Sequence, residues 1–316
     1  MKNQFKRLPI IIDTDPGIDD AFTIMFALGR EELDVKAITT VHGNNTIEHT
    51  TENALRLVSY FNRQDIKVAK GAALPLNQPL HIADFVHGAT GLGDLELPES
   101  KINLYEKNAY DTIYEVAKKE GKITILALGP LTNIAMALRM YPDLKNYIEK
   151  ISLMGGACFG GNVSPCAEAN INSDPEAASI VYNSGIPIVM SGLDVTMKTM
   201  ILDEEAKVIR EINSDLSNTL MKLYDFYSIF QKDVVGLEGV VIHDLSAVVY
   251  LVSPDIYKGK NCNVEIELKG EFTRGKTVVD YSNSTNKVKN AEVLFEVDKE
   301  KFVYELTETI KKFNLK

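Results

Sequence analysis

The feature that most constrains this chain is a group of four carboxylates within eight residues near the N-terminus: Asp13, Asp15, Asp19 and Asp20. The apolar run at residues 8–12 before them predicts a short buried strand, and apolar residues at helical spacing follow from Ile18. Pro16 and Gly17 mark a sharp turn between the two elements. We therefore expect the acids at the carboxyl end of the first strand of an α/β sheet, where such folds bind ligands.

Acidic side chains this close together raise one another's pKa unless a cation neutralises them. Because the side chains offer only oxygen, the expected cation is hard, Ca²⁺ or Mg²⁺ rather than Zn²⁺. The alternative is a solvated helix N-terminus, where the helix dipole favours Asp. That alternative accounts for Asp19 and Asp20 but leaves Asp13 and Asp15 unexplained.

Length and composition favour one globular domain over residues 1–316, because 45% of the residues are hydrophobic and no linker or repeat interrupts the chain. The net charge of −10 disfavours a nucleic acid partner and gives no attraction to anionic membranes. The apolar run after the basic residues at the N-terminus is too short for a secretion signal, and no stretch approaches a membrane span. Three cysteines without metal-binding spacing fit a reducing cytoplasm.

Strand and helix patterns alternate along most of the chain. This alternation predicts an α/β fold with an open, mainly parallel, Rossmann-like sheet, helices on both faces, and an active site at the carboxyl ends of the strands. The predicted strands are 8–12, 33–41, 66–69, 123–128, 151–154 and 186–190, with short tail strands at 264–268, 277–280 and 293–297. The main predicted helices after the first are 46–61, 109–120, 131–139, 175–183, 216–235 and one at the C-terminus.

Polar groups follow several later strands as well. Asn44 ends the second strand, although an Asn there is also typical of a turn or helix cap. The loop at residues 160–176 offers amides and a carboxylate but almost no Lys or Arg, so it suits a neutral polyhydroxylated ligand better than a phosphate. His243 and Asp244 precede an apolar helical stretch. Each is commonly structural on its own, but a His beside acids could handle a leaving-group proton near neutral pH.

Taken together, these segments resemble the inosine-uridine type of nucleoside hydrolase, a family that cleaves the N-glycosidic bond of ribonucleosides. The order and spacing agree over roughly residues 8–300. The matching segments are 13–21, 43–44, 128–133, 154–156, 161–170 and 243–244.

The resemblance implies a Ca²⁺ site whose ligands are Asp15, Asp20, Asp244 and the backbone carbonyl of Leu128. Asp15 also resembles the general base that activates water, Asp13 a supporting acid, and His243 the donor to the leaving base. The residues that resemble the ribose-binding set are Asp19, Asn44, Met154, Asn162, Glu168 and Asn170. His87 falls near the expected base position, and Gln231 resembles a base-reading amide of pyrimidine-preferring members.

The implied reaction is an inverting attack of water on an oxocarbenium-like sugar, which a dense negative site would stabilise. The implied assembly is a homodimer or homotetramer. Ala169 departs from the family, which often has an aromatic residue there, and the absence of Trp counts against the purine-specific branch. We therefore expect a pyrimidine-preferring or broad specificity.

Two other functions remain open at the level of the sequence. A strand followed by Asp13 and Asp15 also resembles the nucleophile motif of haloacid-dehalogenase-type phosphatases, although the turn at Pro16 and Gly17 speaks against it. The chain could also be a non-catalytic, calcium-dependent sugar-binding module, which the presence of both Asp15 and His243 disfavours.

Overall fold

The computed structural model describes residues 7–313. The described residues exclude 1–6 and 314–316. Part of the expectation about a secretion signal rests on residues 1–6 and therefore lies outside the described residues. Strand order in the main sheet is β3-β2-β1-β4-β5-β6-β10-β7, and β8 pairs with β9 in a separate antiparallel ribbon. The strands are β1 (Leu8–Thr14), β2 (Leu33–Thr40), β3 (Lys67–Lys70), β4 (Ile123–Ala127), β5 (Ile148–Met154), β6 (Ile188–Ser191), β7 (Tyr257–Cys262), β8 (Val264–Ile266), β9 (Thr277–Val279) and β10 (Ala291–Val297).

Helices connect most of these strands, and a π-helical turn at Ile229–Val234 extends α10. The helices are α1 (Ile18–Gly29), α2 (Ile47–Tyr60), α3 (Asp84–His87), α4 (Ala109–Glu120), α5 (Thr132–Met140), α6 (Ala169–Ser173), α7 (Pro175–Tyr182), α8 (Leu193–Thr196), α9 (Asp203–Glu211), α10 (Asp215–Ser228), α11 (Leu245–Val252) and α12 (Lys299–Lys312). Within residues 7–313, no helix has the length and apolar character that crossing a membrane requires.

Strand β1 shows why the central strands of the sheet are continuous apolar runs in the sequence. Ile10 and Ile12 pack into one hydrophobic cluster and Ile11 into the other, so both faces of the strand are buried. Parallel sheets covered by helices on both faces bury their strands in this way. The predicted mainly parallel α/β sheet is confirmed, since all of its strand pairs are parallel except that of β10 with β7.

The departures from the predicted elements have physical reasons. Strand β7 was not predicted, because it lies at the sheet edge and the four residues between Tyr257 and Cys262 are polar or Gly and exposed. Helix α3 was not predicted because it is only four residues long and lies inside a loop rich in Gly, His and Pro. The predicted helix at 216–235 is two segments, since α10 changes to π-helical geometry at Ile229.

The register of the sheet determines where the acids lie. Asp13 in β1 is aligned with Thr39 of β2 on one side and with Ala127 of β4 on the other. The carboxyl ends of these strands therefore meet at one edge, and the residues that follow each strand surround the same point.

Candidate active site

A cavity of about 570 Å³ opens at the carboxyl ends of the strands. No Lys or Arg of residues 7–313 lines it. Every residue predicted to bind ribose or base does line it: Asp19, Asn44, His87, Met154, Asn162, Glu168, Asn170 and Gln231. Leu128, His243 and Asp244 also line the cavity, whereas Asp13, Asp15 and Asp20 are buried and do not belong to its lining.

The carboxylates of Asp19, Asp20 and Asp244 converge, with one oxygen of each lying within 4.8 Å of the others. Asp20 is further held by the hydroxyl of Thr14 and by the backbone N–H of Gly17, which donates at 2.8 Å. The structure therefore brings together two of the predicted metal ligands, Asp20 and Asp244, with Asp19, which was predicted to bind ribose.

Asp15 lies beside this trio in a tight backbone pocket. Its Oδ2 accepts the N–H of Asn44 at 2.7 Å, whereas its buried Oδ1 has no hydrogen-bond partner among residues 7–313. A Cβ on Gly129 would lie 2.4 Å from Oδ1, and one on Gly43 would lie 2.0 Å from Oδ2. The two glycines thus allow the backbone to approach the carboxylate closely.

Asp13 contacts neighbouring elements and does not line the cavity. Its Oδ1 accepts the hydroxyl of Thr39 at 2.5 Å and the amide of Asn133 at 2.8 Å. Burial nevertheless raises the pKa of Asp13 to about 7. The role of Asp13 as a supporting acid stays a prediction.

The carboxyl groups of the acidic cluster disfavour one another's ionisation. Burial, followed by the charge of Asp20, raises the pKa of Asp15 well above its usual range. Burial and then Asp19, Asp20 and Asp15 raise the pKa of Asp244 in the same direction. Because these side chains are buried together, a bound cation would lower the electrostatic cost of ionising them.

Glu168 and Asn170 organise the part of the cavity wall that leads into α6. The carboxylate of Glu168 caps α6 and accepts the N–H groups of Gly156, Asn170 and Ile171 at 2.7, 2.9 and 3.2 Å. The amide of Asn170 donates to the carbonyl oxygens of Leu128 at 2.7 Å and Met154 at 3.1 Å. The Leu128 carbonyl, a predicted metal ligand, thus accepts an amide hydrogen bond in this structure.

Two histidines lie together on another part of the cavity wall. Nδ1 of His87 accepts the N–H of Ile18 at 3.2 Å, so its ring carries the proton on Nε2. Nδ1 of His243 bonds the hydroxyl of Thr196 at 2.8 Å. Burial lowers the pKa of His87 to about 3 and that of His243 to about 4, so both rings are neutral near pH 7.

Gln231 lines the cavity, but its amide is already engaged with the backbone. Its Nε2 donates to the Val241 carbonyl at 2.9 Å, and its Oε1 accepts the Val241 N–H at 2.7 Å. The side chain therefore ties the π-helical turn to the segment that leads into His243. Its second N–H bonds the phenol oxygen of Tyr227, which leaves one lone pair of Oε1 for a ligand.

Residues 10–304 match the family described as inosine-uridine preferring nucleoside hydrolase. The chain belongs to the nucleoside hydrolase family. It is therefore an N-glycosyl hydrolase, and the phosphatase and non-catalytic alternatives are set aside. The predicted resemblance is confirmed across nearly the whole chain.

Individual nucleoside hydrolases are similar to this chain in sequence and in structure. A pyrimidine-specific ribonucleoside hydrolase of Photobacterium profundum is 44% identical over 96% of this chain and 98% of its own. A solved purine-preferring ribonucleoside hydrolase from Gardnerella vaginalis has a TM-score of 0.90 at 35% identity, covering 96% and 98% of the two chains. A solved plant nucleoside hydrolase has a TM-score of 0.91 at 34% identity, covering 97% and 99%.

Several residues that line the cavity of this nucleoside hydrolase are not marked by any of the sequence motifs. Tyr227 lines it with its ring centroid 5.4 Å from that of His87, and Asp194 lines it from α8. Phe85 and Phe230 form an edge-to-face pair at 5.8 Å, and Phe85 is 74% exposed. The available signal was closeness in sequence to predicted site residues, since Phe85 lies two residues before His87 and Phe230 directly precedes Gln231.

Proposed function

We propose that this chain hydrolyses the N-glycosidic bond of ribonucleosides in a calcium-dependent reaction that releases ribose and free base. The observation that carries the proposal is a buried carboxylate cluster at the floor of a cavity whose wall offers several side-chain amides and no Lys or Arg among residues 7–313. Such a site suits an uncharged sugar that develops positive charge.

The donor set fits a hard divalent cation. Oδ1 of Asp15 and Oδ1 of Asp19 are buried and have no hydrogen-bond partner among the described residues, although buried carboxylate oxygens normally have one. Asp15, Asp20 and Asp244 would hold Ca²⁺ together with the Leu128 carbonyl, and Asp19 is close enough to contribute. When bound, the ion would supply positive charge that orients the ribose hydroxyls and makes a water molecule more acidic.

In the proposed mechanism, Asp15 takes a proton from the attacking water through its free oxygen, while Asn44 holds the other oxygen. Water attacks the sugar face opposite the base, so the configuration inverts without a covalent intermediate. The surrounding carboxylates stabilise the oxocarbenium-like sugar. His243 and His87, neutral and lining the cavity, donate hydrogen bonds to the departing base.

We further propose that the substrates are mainly pyrimidine ribonucleosides. The support is the 44% identity with the hydrolase named pyrimidine-specific, against 35% with the solved enzyme named purine-preferring, and the absence of Trp for stacking a purine. In this proposal, the remaining oxygen lone pair of Gln231 accepts a hydrogen bond from the pyrimidine edge. The proposal also includes a single domain over residues 1–316, a cytoplasmic homodimer or homotetramer, and no nucleic acid or membrane partner.

The test is a panel of uridine, cytidine, inosine and 2′-deoxyuridine, assayed for released base with added calcium and after chelation. We expect uridine and cytidine to be cleaved at least as well as inosine, and 2′-deoxyuridine about 10²-fold less well, because the groups that bind the missing hydroxyl stay unpaired. A tenfold preference for inosine would overturn the pyrimidine assignment. Full activity after chelation would overturn the calcium dependence.

A further inference from the structure

The loop between β5 and α6, residues 155–168, has no regular secondary structure and contributes to the cavity wall. Because the proposed function assigns this part of the wall to the ribose, we call the loop the sugar-side wall. It carries Asn162 and Glu168, and at the cavity mouth it presents Phe159 with 68% of its surface exposed. The backbone groups of a loop without regular secondary structure must find partners other than those of a helix or sheet. Residues 157–160 find those partners in two other elements.

The carbonyl groups bond to a single ammonium. Nζ of Lys276 donates to the backbone oxygens of Ala157 at 2.8 Å, Cys158 at 2.9 Å and Gly160 at 3.3 Å. An ammonium carries three donors, so this half-buried lysine commits its full capacity to one loop.

The N–H groups of the same loop face a carboxylate. Asp194 accepts the N–H of Cys158 at 2.6 Å and the N–H of Phe159 at 3.0 Å. Next to them, the Thr277 hydroxyl accepts the N–H of Ala157 at 2.8 Å and lies 2.7 Å from its carbonyl oxygen. The anion therefore binds the positive ends of the peptide dipoles and the cation binds the negative ends, an arrangement that strengthens both sets of hydrogen bonds.

Lys276 is itself held in place by the segment that joins β8 and β9. Arg274 forms a bidentate pair with Glu176 of α7 at 2.9 and 2.8 Å. Gly275, at φ +80°, packs against Asn172 of α6, where a Cβ would lie 2.9 Å from the Asn172 side chain. The ammonium thus extends from a segment that is anchored to α7 and to α6, the helix into which the sugar-side wall leads.

We propose that Lys276 is a positioning residue for sugar binding, acting with Asp194 to hold residues 157–160 so that Asn162 faces the cavity. The inference rests on the proposed function, because it assigns this wall to the ribose. Oδ1 of Asn162 accepts the N–H of Ala169 at 3.0 Å, so the loop on both sides of Asn162 is tied down before a ligand arrives. A wall that is ordered in advance avoids the entropic cost of ordering it on binding.

The test compares Lys276→Met with Lys276→Arg and with Lys287→Met as matched control. Lys287 lies near the same strand pair and bonds Glu265 at 2.7 Å, with no bond to the loop. For Lys276→Met we expect KM for uridine to rise about tenfold with kcat changed less than about threefold, since binding is lost rather than chemistry. Lys276→Arg should recover part of the loss, and the control should match wild type.

Hydrogen exchange at Cys158 and Phe159 supplies a measurement that needs no substrate. It should accelerate in Lys276→Met and stay unchanged in the control, because the N–H groups lose the rigid loop that holds them against Asp194. Asp194→Asn should raise KM in the same direction. The double variant should raise KM by less than the product of the two single effects, because both residues act on one loop.

Unchanged KM and unchanged exchange in Lys276→Met would overturn the proposal, as would a fall in kcat at constant KM. If Lys276→Met fails to fold, Asp194→Asn and Lys276→Arg decide by the same two measurements. A wild-type protein that cleaves no ribonucleoside would refute the proposed function. The exchange result would then still decide whether Lys276 holds the loop.

Discussion

Replacing Asp15 by Asn separates its chemical role from its cost to the fold. Asn can keep an oxygen acceptor for the Asn44 N–H, which now lies 2.7 Å from Oδ2, so the backbone around it has no reason to move. The substitution turns the unpartnered Oδ1 position into an amide donor and removes one buried negative charge. It therefore removes the proposed base and weakens the cation site together.

We expect Asp15→Asn to lower kcat/KM at least about 10²-fold on every nucleoside, the lower range for loss of a general base. In the absence of calcium, the Asp15→Asn variant should be more stable to unfolding than the wild-type protein. Burial and Asp20 raise the pKa of Asp15, and a raised carboxyl pKa destabilises the fold as pH increases above the unfolded value. A tenfold change in an acid dissociation constant corresponds to about 1.4 kcal/mol, and a chain of this size gains about 2 °C in Tm per kcal/mol.

The assays are released base with uridine and inosine, and thermal unfolding in chelator at pH 5 and pH 8. The gain in Tm should be larger at pH 8, where wild-type Asp15 is driven toward ionisation. Asp143→Asn, which removes an exposed carboxylate that accepts the Tyr114 hydroxyl at 3.1 Å, is the control and should change neither property. Activity within tenfold of wild type would refute the role as base, and a fall in Tm would refute the charge argument.

Two further predictions concern the cation and the leaving group. Added calcium should raise Tm more at pH 7.5 than at pH 5, because protons compete for carboxylates such as Asp244, whose pKa is raised by burial and by Asp19. Thermal unfolding with and without added calcium, after dialysis against chelator, measures this difference. A calcium-induced shift in Tm that does not depend on pH would contradict the prediction. His243→Ala should lower kcat about 10²-fold on uridine and much less on p-nitrophenyl riboside, whose leaving group needs no hydrogen-bond donor. Equal losses of kcat on both substrates would argue against His243 as the donor to the leaving base.

Local sequence was sufficient for much of the fold. The predicted helix at 109–120 has the observed bounds of α4, and the buried strands were recognisable because parallel strands covered on both faces are continuous apolar runs. The same logic located Asp13 and Asp15 at the end of β1, since that position depends only on the strand and the turn that follows it. The exposed edge strand β7 lacked such a run and was missed.

The details of the site required the tertiary structure. The sequence supplied the acids and the family resemblance, but the position of Asp19 in the trio depends on how α1 meets the segment of Asp244. Nothing in the local pattern of Gln231 indicates that its amide bonds Val241. Lys276 reaches Ala157 across 119 residues of sequence, and only the packing of the β8–β9 segment against the cavity loop brings them together. Local patterns specify elements, whereas contacts between distant residues arise from how those elements pack.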